Sequence, residues 1–295
     1  MYSKGVDDME TQKVGLVLEG GGMRGMYTAG VLDVFLQENI WPDAVIGVSA
    51  GAIHGCSYMS GQLGRSVRYN LKYINDKRYM SLRSLITTGD IFNVNFCYDK
   101  IPNELSVFDY DTFKKNAENI PFYVTCSNVD TGKPEYIRCR DFRYDMDYMR
   151  ASASLPIVSR MVMVNEKKLL DGGTTDSIPV KFFESIGYKK NIVVLTRPEG
   201  YVKKESSSIL ILKLLYRKYP AYLEACENRP KLYNETVEYI EQQQKDGNII
   251  VIRPSRKVKI ARTEKDTEKL KYMYKLGRHD TLQQLQEIKQ FIDKQ

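Results

Sequence analysis

Residues 13–51 constrain the fold more than any other part of the chain. They read KVGLVLE, then GGGMRG, then GMYTAGVLDVFLQEN, then DAVIGVS and AGAIHG. KVGLVLE and DAVIGVS are short Val-, Leu- and Ile-rich runs bounded by glycine, the pattern of buried strands. Between them Met26, Ala29, Val31, Leu32, Phe35 and Leu36 recur at helical spacing, and a second helix can start at Ala50. Strand, helix, strand and helix in so short a stretch predict an α/β fold with a mainly parallel sheet and helices on both faces.

Later segments extend this sheet. PFYVTCSNV (121–129) and NIVVLTRP (191–198) read as strands, and EYIRC follows the first after a DTGKP turn. RMVMVNEKKLLDGG reads as a hairpin turning at Asn165, Glu166 and Lys167. Residues 62–120, rich in tyrosine, read as polar-faced helix and loop and are expected to form a cap or side layer with little chemistry. After Pro198 come two amphipathic helices, a strand NIIVIRPS, and two further helices joined near Gly277. The expected division is a polar tail over 1–12, an α/β domain over 13–200 and a basic, mostly helical extension over 201–295.

The charge supports that division. Residues 1–200 hold 24 basic and 24 acidic residues, whereas residues 201–295 hold 20 and 13, so the whole net charge of +7 lies after residue 200. An anionic partner for the second part is one reading, a solvated basic face the other. Peripheral contact with an anionic membrane ranks above nucleic acid, for which no binding motif is visible. No run reaches the roughly 18–20 apolar residues of a membrane span. The polar N-terminus lacks a signal-peptide pattern. Five scattered cysteines suit reduced thiols, and with only His54 and His279 a zinc site is not expected. The expected location is the cytoplasm, peripheral to the membrane where the basic face engages it. The oligomeric state is open.

Gly20, Gly22 and Gly25 match the G-x-G-x-x-G of dinucleotide-binding turns, but any anion can use backbone N–H groups at a helix start. A ribose-binding acid is wanted at the carboxyl end of the next strand. Asp43 opens that strand instead, and its end carries GVSAG. G-x-S-x-G at a strand-to-helix turn is a nucleophile elbow, in which Gly47 and Gly51 clear space around an exposed Ser49. In a parallel sheet the glycine loop lies on the same edge, where its N–H groups and that of Ala50 can face an oxyanion.

A serine nucleophile needs a base. At about 100° per helical residue, His54 points about 140° away from Ser49, as a surface or packing histidine would. His279 would complete the order Ser49, Asp171, His279 of an esterase triad, but it sits at an apparent helix junction. Asp171, in LLDGGTTDSIP, ends an apolar strand and is followed by Gly172 and Gly173. It is read either as a turn aspartate or as the base.

GGGMRG (20–25), GVSAG (47–51) and DGG (171–173), in this order, resemble the motifs of bacterial patatin-like phospholipases, and ASASLPIVS (151–159) resembles the segment that the family carries before its aspartate. The resemblance covers residues 13–200. It implies a three-layer α/β/α fold and a Ser–Asp dyad without histidine: Ser49 the nucleophile, Asp171 its base. It also implies an oxyanion hole from Gly20, Gly21, Gly22, Met23, Arg24 and Gly25, with Ala50. Arg24 fills the family's basic loop position, with a helix-start salt bridge or a substrate role as its alternatives. The implied activity is ester cleavage of lipids or phospholipids through an acyl-enzyme, with no metal or organic cofactor. A lipid-binding module without turnover, a Ser49–Asp171–His279 esterase and a nucleotide-binding domain are the alternatives.

Overall fold

The computed structural model describes residues 12–293. The expected tail over 1–12 lies outside them except for its last residue.

The strands are β1 (Val14–Leu18), β2 (Ala44–Val48), β3 (Phe122–Asn128), β4 (Pro134–Cys139), β5 (Val162–Val164), β6 (Lys167–Asp171), β7 (Lys190–Val194) and β8 (Ile249–Ile252). The helices are α1 (Met26–Gln37), α2 (Ala50–Met59), α3 (Arg65–Tyr73), α4 (Leu82–Thr88), α5 (Tyr110–Asn119), α6 (Phe142–Ser152), α7 (Val180–Ser185), α8 (Ile209–Leu215), α9 (Pro220–Lys245), α10 (Thr267–Gln283) and α11 (Leu285–Asp293). The pairing path is β5-β6-β3-β2-β1-β7-β8, with β4 also on β3. β8 thus adds a parallel strand from beyond residue 200 to the outer edge of β7.

Both faces of the sheet are apolar, so it must be covered twice. Along β1, Leu16 and Leu18 join one buried cluster with Phe35, Phe122 and Met273, while Val17 joins another with Phe183, Tyr233 and Ile240. Helices α1, α2 and α10 cover the first face; α7 and α9 cover the second. The result is a three-layer α/β/α fold with a helical C-terminal region.

The expected helix break near Gly277 is not there. α10 runs through it and ends at Gln283. Gly277 serves close packing instead: a Cβ there would lie 2.1 Å from the Tyr27 carbonyl oxygen, and one at Gly30 would lie 2.1 Å from that of Tyr274. The two glycines let α1 and α10 touch backbone to backbone. Tyr27 Oη donates to Asp280 Oδ2 at 3.0 Å across the same contact.

Candidate active site

The register of β3 brings two distant motifs together. Phe122 pairs with both Val45 of β2 and Cys139 of β4, and Cys126 pairs with both Asp171 of β6 and Glu135 of β4. Since β4 occupies one edge of β3 throughout, β2 and β6 share the other. β2 runs parallel to β3 and ends at Val48 opposite Thr125; β6 runs antiparallel and ends at Asp171 opposite Cys126. The two carboxyl ends therefore point at each other across adjacent register positions. Ser49 follows the first end, and Asp171 is the second.

Ser49 sits at φ 53°, ψ −121°, a conformation that costs a non-glycine residue on the order of 1–3 kcal/mol and that its surroundings must hold. They do so closely. A Cβ at Gly51 would lie 2.4 Å from the Leu18 carbonyl oxygen, and one at Gly47 would lie 2.5 Å from Ala52 N, so neither position of the turn admits a side chain. The Ser49 N–H donates to Ser152 Oγ at 2.9 Å, and Ser152 Oγ donates to the Thr125 carbonyl at 2.7 Å.

Asp171 is held by the segment just after Ser152. Its N–H donates to the Ser154 carbonyl at 2.9 Å, and its Oδ1 accepts the Gly173 N–H at 2.8 Å. Oδ2 is buried and has no hydrogen-bond partner among the described residues. Burial raises the carboxyl pKa above the ordinary aspartate value. The nearby Ser49 hydroxyl opposes this most, followed by Arg229, the Gly173 N–H and Arg262. The serine thus acts on the carboxylate without the alignment of a full hydrogen bond. Gly172 is as constrained as the elbow glycines, for a Cβ there would lie 2.2 Å from the Thr125 carbonyl oxygen.

The glycine loop lies against this pair: a Cβ at Gly20 would lie 3.3 Å from that of Ser49. The expected donor set narrows. Met23 N–H already donates to the Arg262 carbonyl at 3.0 Å, and Arg24 N–H to the Gly21 carbonyl at 3.3 Å. Gly25 belongs to a one-turn 3₁₀ segment (Gly22–Gly25) leading into α1, where a Cβ would lie 2.8 Å from that of Ala50. Gly20, Gly21, Gly22 and Ala50 remain as candidate donors. Gly22 must be glycine twice over: its φ is +56°, and a Cβ would lie 2.6 Å from the Arg262 carbonyl oxygen.

Neither histidine joins the pair. His54 is buried under the loop, and burial lowers its pKa to about 4. His279 is exposed on α10. Among the described residues buried Arg24 makes no ion pair, so the salt-bridge alternative finds no partner there.

A cavity opens at Ser49 and Ala50, with about 1040 Å³ of space unfilled by atoms, part of it open to solvent. Its walls are overwhelmingly apolar: Met23, Met26, Ile53, Phe142, Met146 and Leu155 from the α/β layers, and Tyr69, Phe92, Ile101 and Phe108 from residues 62–120. That region, expected to carry little chemistry, supplies a large share of the lining of the cavity at Ser49. Its aromatics were visible in the sequence, but nothing local showed what they face.

The arrangement defines an α/β protein with a serine elbow, an adjoining glycine loop and a buried aspartate at one sheet edge. The model of the patatin-like phospholipase family matches residues 16–183, and the chain belongs to that family. A second model, a domain of unknown function (DUF6363), matches residues 219–293. The uncharacterized protein YjjU of Escherichia coli is 29% identical over 189 residues, covering 63% of this chain and 52% of that protein. Lysophospholipase nte1 of Aspergillus terreus is 28% identical over 191 residues, covering 60% of this chain and 11% of that protein. The chain thus spans about half of the first relative and about a tenth of the second. The crystal structure of VipD from Legionella pneumophila aligns with a TM-score of 0.45 at 11% identity, over 94% of this chain and 67% of that one.

Proposed function

We propose that the chain is a lipid acyl hydrolase working through a Ser49–Asp171 dyad. The observation that carries this reading is the head-on meeting of β2 and β6 on one edge of β3, which leaves an unpartnered carboxylate oxygen beside a strained serine. In the proposed reaction Ser49 Oγ attacks the ester carbonyl while Asp171 Oδ2 takes its proton. The oxyanion of the tetrahedral intermediate is met by N–H groups of Gly20, Gly21, Gly22 and Ala50. On collapse the alkoxide leaves with the proton from Asp171, and Ser49 keeps the acyl group. Water, deprotonated by the same carboxylate, attacks the acyl-enzyme and releases the fatty acid. A free aspartate, with a pKa near 3.9, is a poor base; burial moves it toward the working range.

The apolar cavity is the place for the acyl chain. The names of the relatives, lysophospholipases among them, support a lipid ester as substrate. Approach to a membrane is assigned to α8, where Leu210, Ile211, Leu214 and Leu215 are all more than half exposed or at its threshold of 50%. Leu212 and Tyr216 anchor that helix in a small core, and the cationic Arg217 and Lys218 beside it are exposed. Among the described residues no helix is long and apolar enough to cross a membrane. The basic stretch around residue 256 is a weaker candidate, since Arg253 pairs with Glu241 at 2.8 Å.

A fluorophosphonate probe should label wild type at Ser49, with the adduct on the peptide carrying GVSAG, and should not label Ser49→Ala. Labelling elsewhere, or unchanged ester cleavage by Ser49→Ala, overturns the reading.

A further inference from the structure

The region after residue 219, matched by the domain of unknown function, reaches the candidate site at three points. The first is the start of the glycine loop. Glu19, between β1 and Gly20, is buried, and its Oε1 accepts the Tyr233 hydroxyl of α9 at 2.9 Å. The second is the loop itself. The Arg262 carbonyl accepts the Met23 N–H at 3.0 Å, and its oxygen lies 2.6 Å from where a Gly22 Cβ would stand. The third is the turn after Asp171. One point, the place that a Gly173 Cβ would take, lies 2.9 Å from Asp171 Oδ1 and 3.2 Å from Arg229 Nη2 of α9. Arg229 Nε is buried with no hydrogen-bond partner among the described residues.

The chain around Arg262 is neither helix nor strand, yet it is fixed along its length. Residues 255–265 lead from β8 to α10. At the near end the Ser255 N–H and hydroxyl donate to Asp280 at 2.9 and 2.7 Å, on the carboxylate that also takes the Tyr27 hydroxyl of α1. In the middle Ile260 is buried in the main core. At the far end Lys265 Nζ donates to the Met80 carbonyl at 3.0 Å. The segment is thus a strap from the sheet edge over the glycine loop to residues 62–120. Arg262 lines the cavity together with Gly22, Ser49 and Ala50.

Such a strap answers a physical need. Glycine loses more backbone freedom on ordering than any other residue, and here three stand in a row. An oxyanion hole, by contrast, stabilises charge only when its donors are already in place. Gly20, Gly21 and Gly22 have no side chains to pack, so their neighbours must hold them. Met23 is buried, and its N–H would be stranded without the Arg262 carbonyl. Tyr233 and Arg262 therefore grip the loop on both sides of the three glycines. Arg229 adds a positive charge at the aspartate turn, which favours the carboxylate form of Asp171. The family match over residues 16–183 contains Ser49 and Asp171, but not Arg229, Tyr233 or Arg262.

We propose that the region from residue 219 onward is the positioning half of the active site: the strap at Arg262 and Tyr233 of α9 hold the glycine loop in its donor geometry, and Arg229 braces the Asp171 turn. The part matched by the family model is then an incomplete catalyst without it. This rests on the hydrolase reading above.

The experiment unseats the strap in the intact chain with Ile260→Asp, and with the milder Ile260→Ala where the first does not fold. Ile288→Ala, at a buried isoleucine of α11 outside the strap, is the control. The measurements are kcat and KM for a soluble short-chain ester, the melting temperature, and amide exchange at Met23. The strap variants should lose kcat by about tenfold or more, toward the roughly hundredfold of a missing oxyanion donor, with little change in KM. Their Met23 N–H should exchange at least about tenfold faster. Ile288→Ala should melt lower yet keep both kcat and the protection of Met23. Arg229→Gln should move the rising limb of kcat/KM to higher pH, and Arg229→Lys should restore it. Folded strap variants that keep the wild-type kcat overturn the proposal, and so does an equal kcat loss in Ile288→Ala. A limb that stays in place in Arg229→Gln overturns the part given to Arg229. If wild type cleaves no ester while Met23 exchange responds to the strap variants and not to Ile288→Ala, the hold on the loop stands and the hydrolase reading fails.

Discussion

Ser152 Oγ accepts the Ser49 N–H at 2.9 Å. Its own proton goes to the Thr125 carbonyl, opposite the end of β2. Two residues on, the Ser154 carbonyl receives the Asp171 N–H. The end of α6 thus grips both candidate dyad residues by their backbones, which explains what the ASASLP segment is for.

Ser152→Ala should therefore loosen the elbow without touching substrate. It strands a buried N–H and a buried carbonyl, a penalty of about 1–3 kcal/mol. The expected outcome is a lower denaturation midpoint and a kcat for a short-chain ester that falls while KM changes little. Slower fluorophosphonate labelling should accompany the kcat loss. A stability loss with unchanged labelling would make Ser152 a packing residue only.

The raised pKa of Asp171 sets a pH dependence with a definite sign. The base form is the carboxylate, so kcat/KM should rise with pH through a limb above the ordinary value near 3.9. Arg262 lowers this pKa, so Arg262→Gln should move the limb to higher pH. His54, lowered by burial to about 4, should add no inflection near neutral pH, and His279→Gln, at an exposed position away from the dyad, should keep most activity. Asp171→Asn should cost about a thousandfold or more, the scale of losing a triad member. Because the folded pKa is raised, burial of the charge costs stability above the unfolded pKa, and that cost vanishes below it. Asp171→Asn should therefore melt higher than wild type at pH 7, with the gap closing as the pH falls below about 4.

The sheet, the strand-to-helix turn at Ser49 and the strand ending at Asp171 were legible because their signals are local: apolar runs, and glycines that a turn or a close approach demands. What escaped reading depends on partners far off in sequence. Gly277 looks like a helix break unless Tyr27 is known to pack against it. Ser152 is one serine among several in ASASLP until the register of β3 places Thr125 below it. Met23 belonged to the expected donor set, but its N–H is occupied by a carbonyl 239 positions later in the chain, a contact no loop motif encodes (Arg262, 3.0 Å). The aromatics of residues 62–120 acquire a role only when α3 and its neighbours fold over Ser49.

The loop glycines make separable predictions. Gly22→Ala forces a side chain into the left-handed region at roughly 1–2 kcal/mol and pushes against the Arg262 carbonyl. It should lower the denaturation midpoint and detach the 262 segment, seen as faster amide exchange at Met23. Gly21→Pro removes a candidate oxyanion donor, a loss typically worth about 2.7–4 kcal/mol in the transition state. It should depress kcat strongly in protein that still melts cooperatively. An active Gly21→Pro would move the oxyanion elsewhere in the loop.

The exposed face of α8 predicts behaviour at a lipid surface. Leu210 and Leu214 are 76% and 68% exposed on a helix whose Leu212 and Tyr216 are buried, so the outward leucines are free to enter a bilayer. Burying a leucine contributes about 1.5–3 kcal/mol, and a basic residue near an anionic surface adds about 1 kcal/mol that salt screens. Lys213 is partly committed to Glu227 at 2.8 Å, whereas exposed Arg217 and Lys218 make no ion pair among the described residues. The double variant Leu210→Glu and Leu214→Glu should weaken co-sedimentation with anionic vesicles by more than tenfold. It should slow cleavage of vesicle-borne ester in proportion, while a soluble short-chain ester is cleaved as before. Arg217→Gln with Lys218→Gln should lose only the salt-sensitive part of vesicle binding. If both double variants sediment as wild type does, α8 is a solvent-facing helix and the protein meets its lipid by another surface.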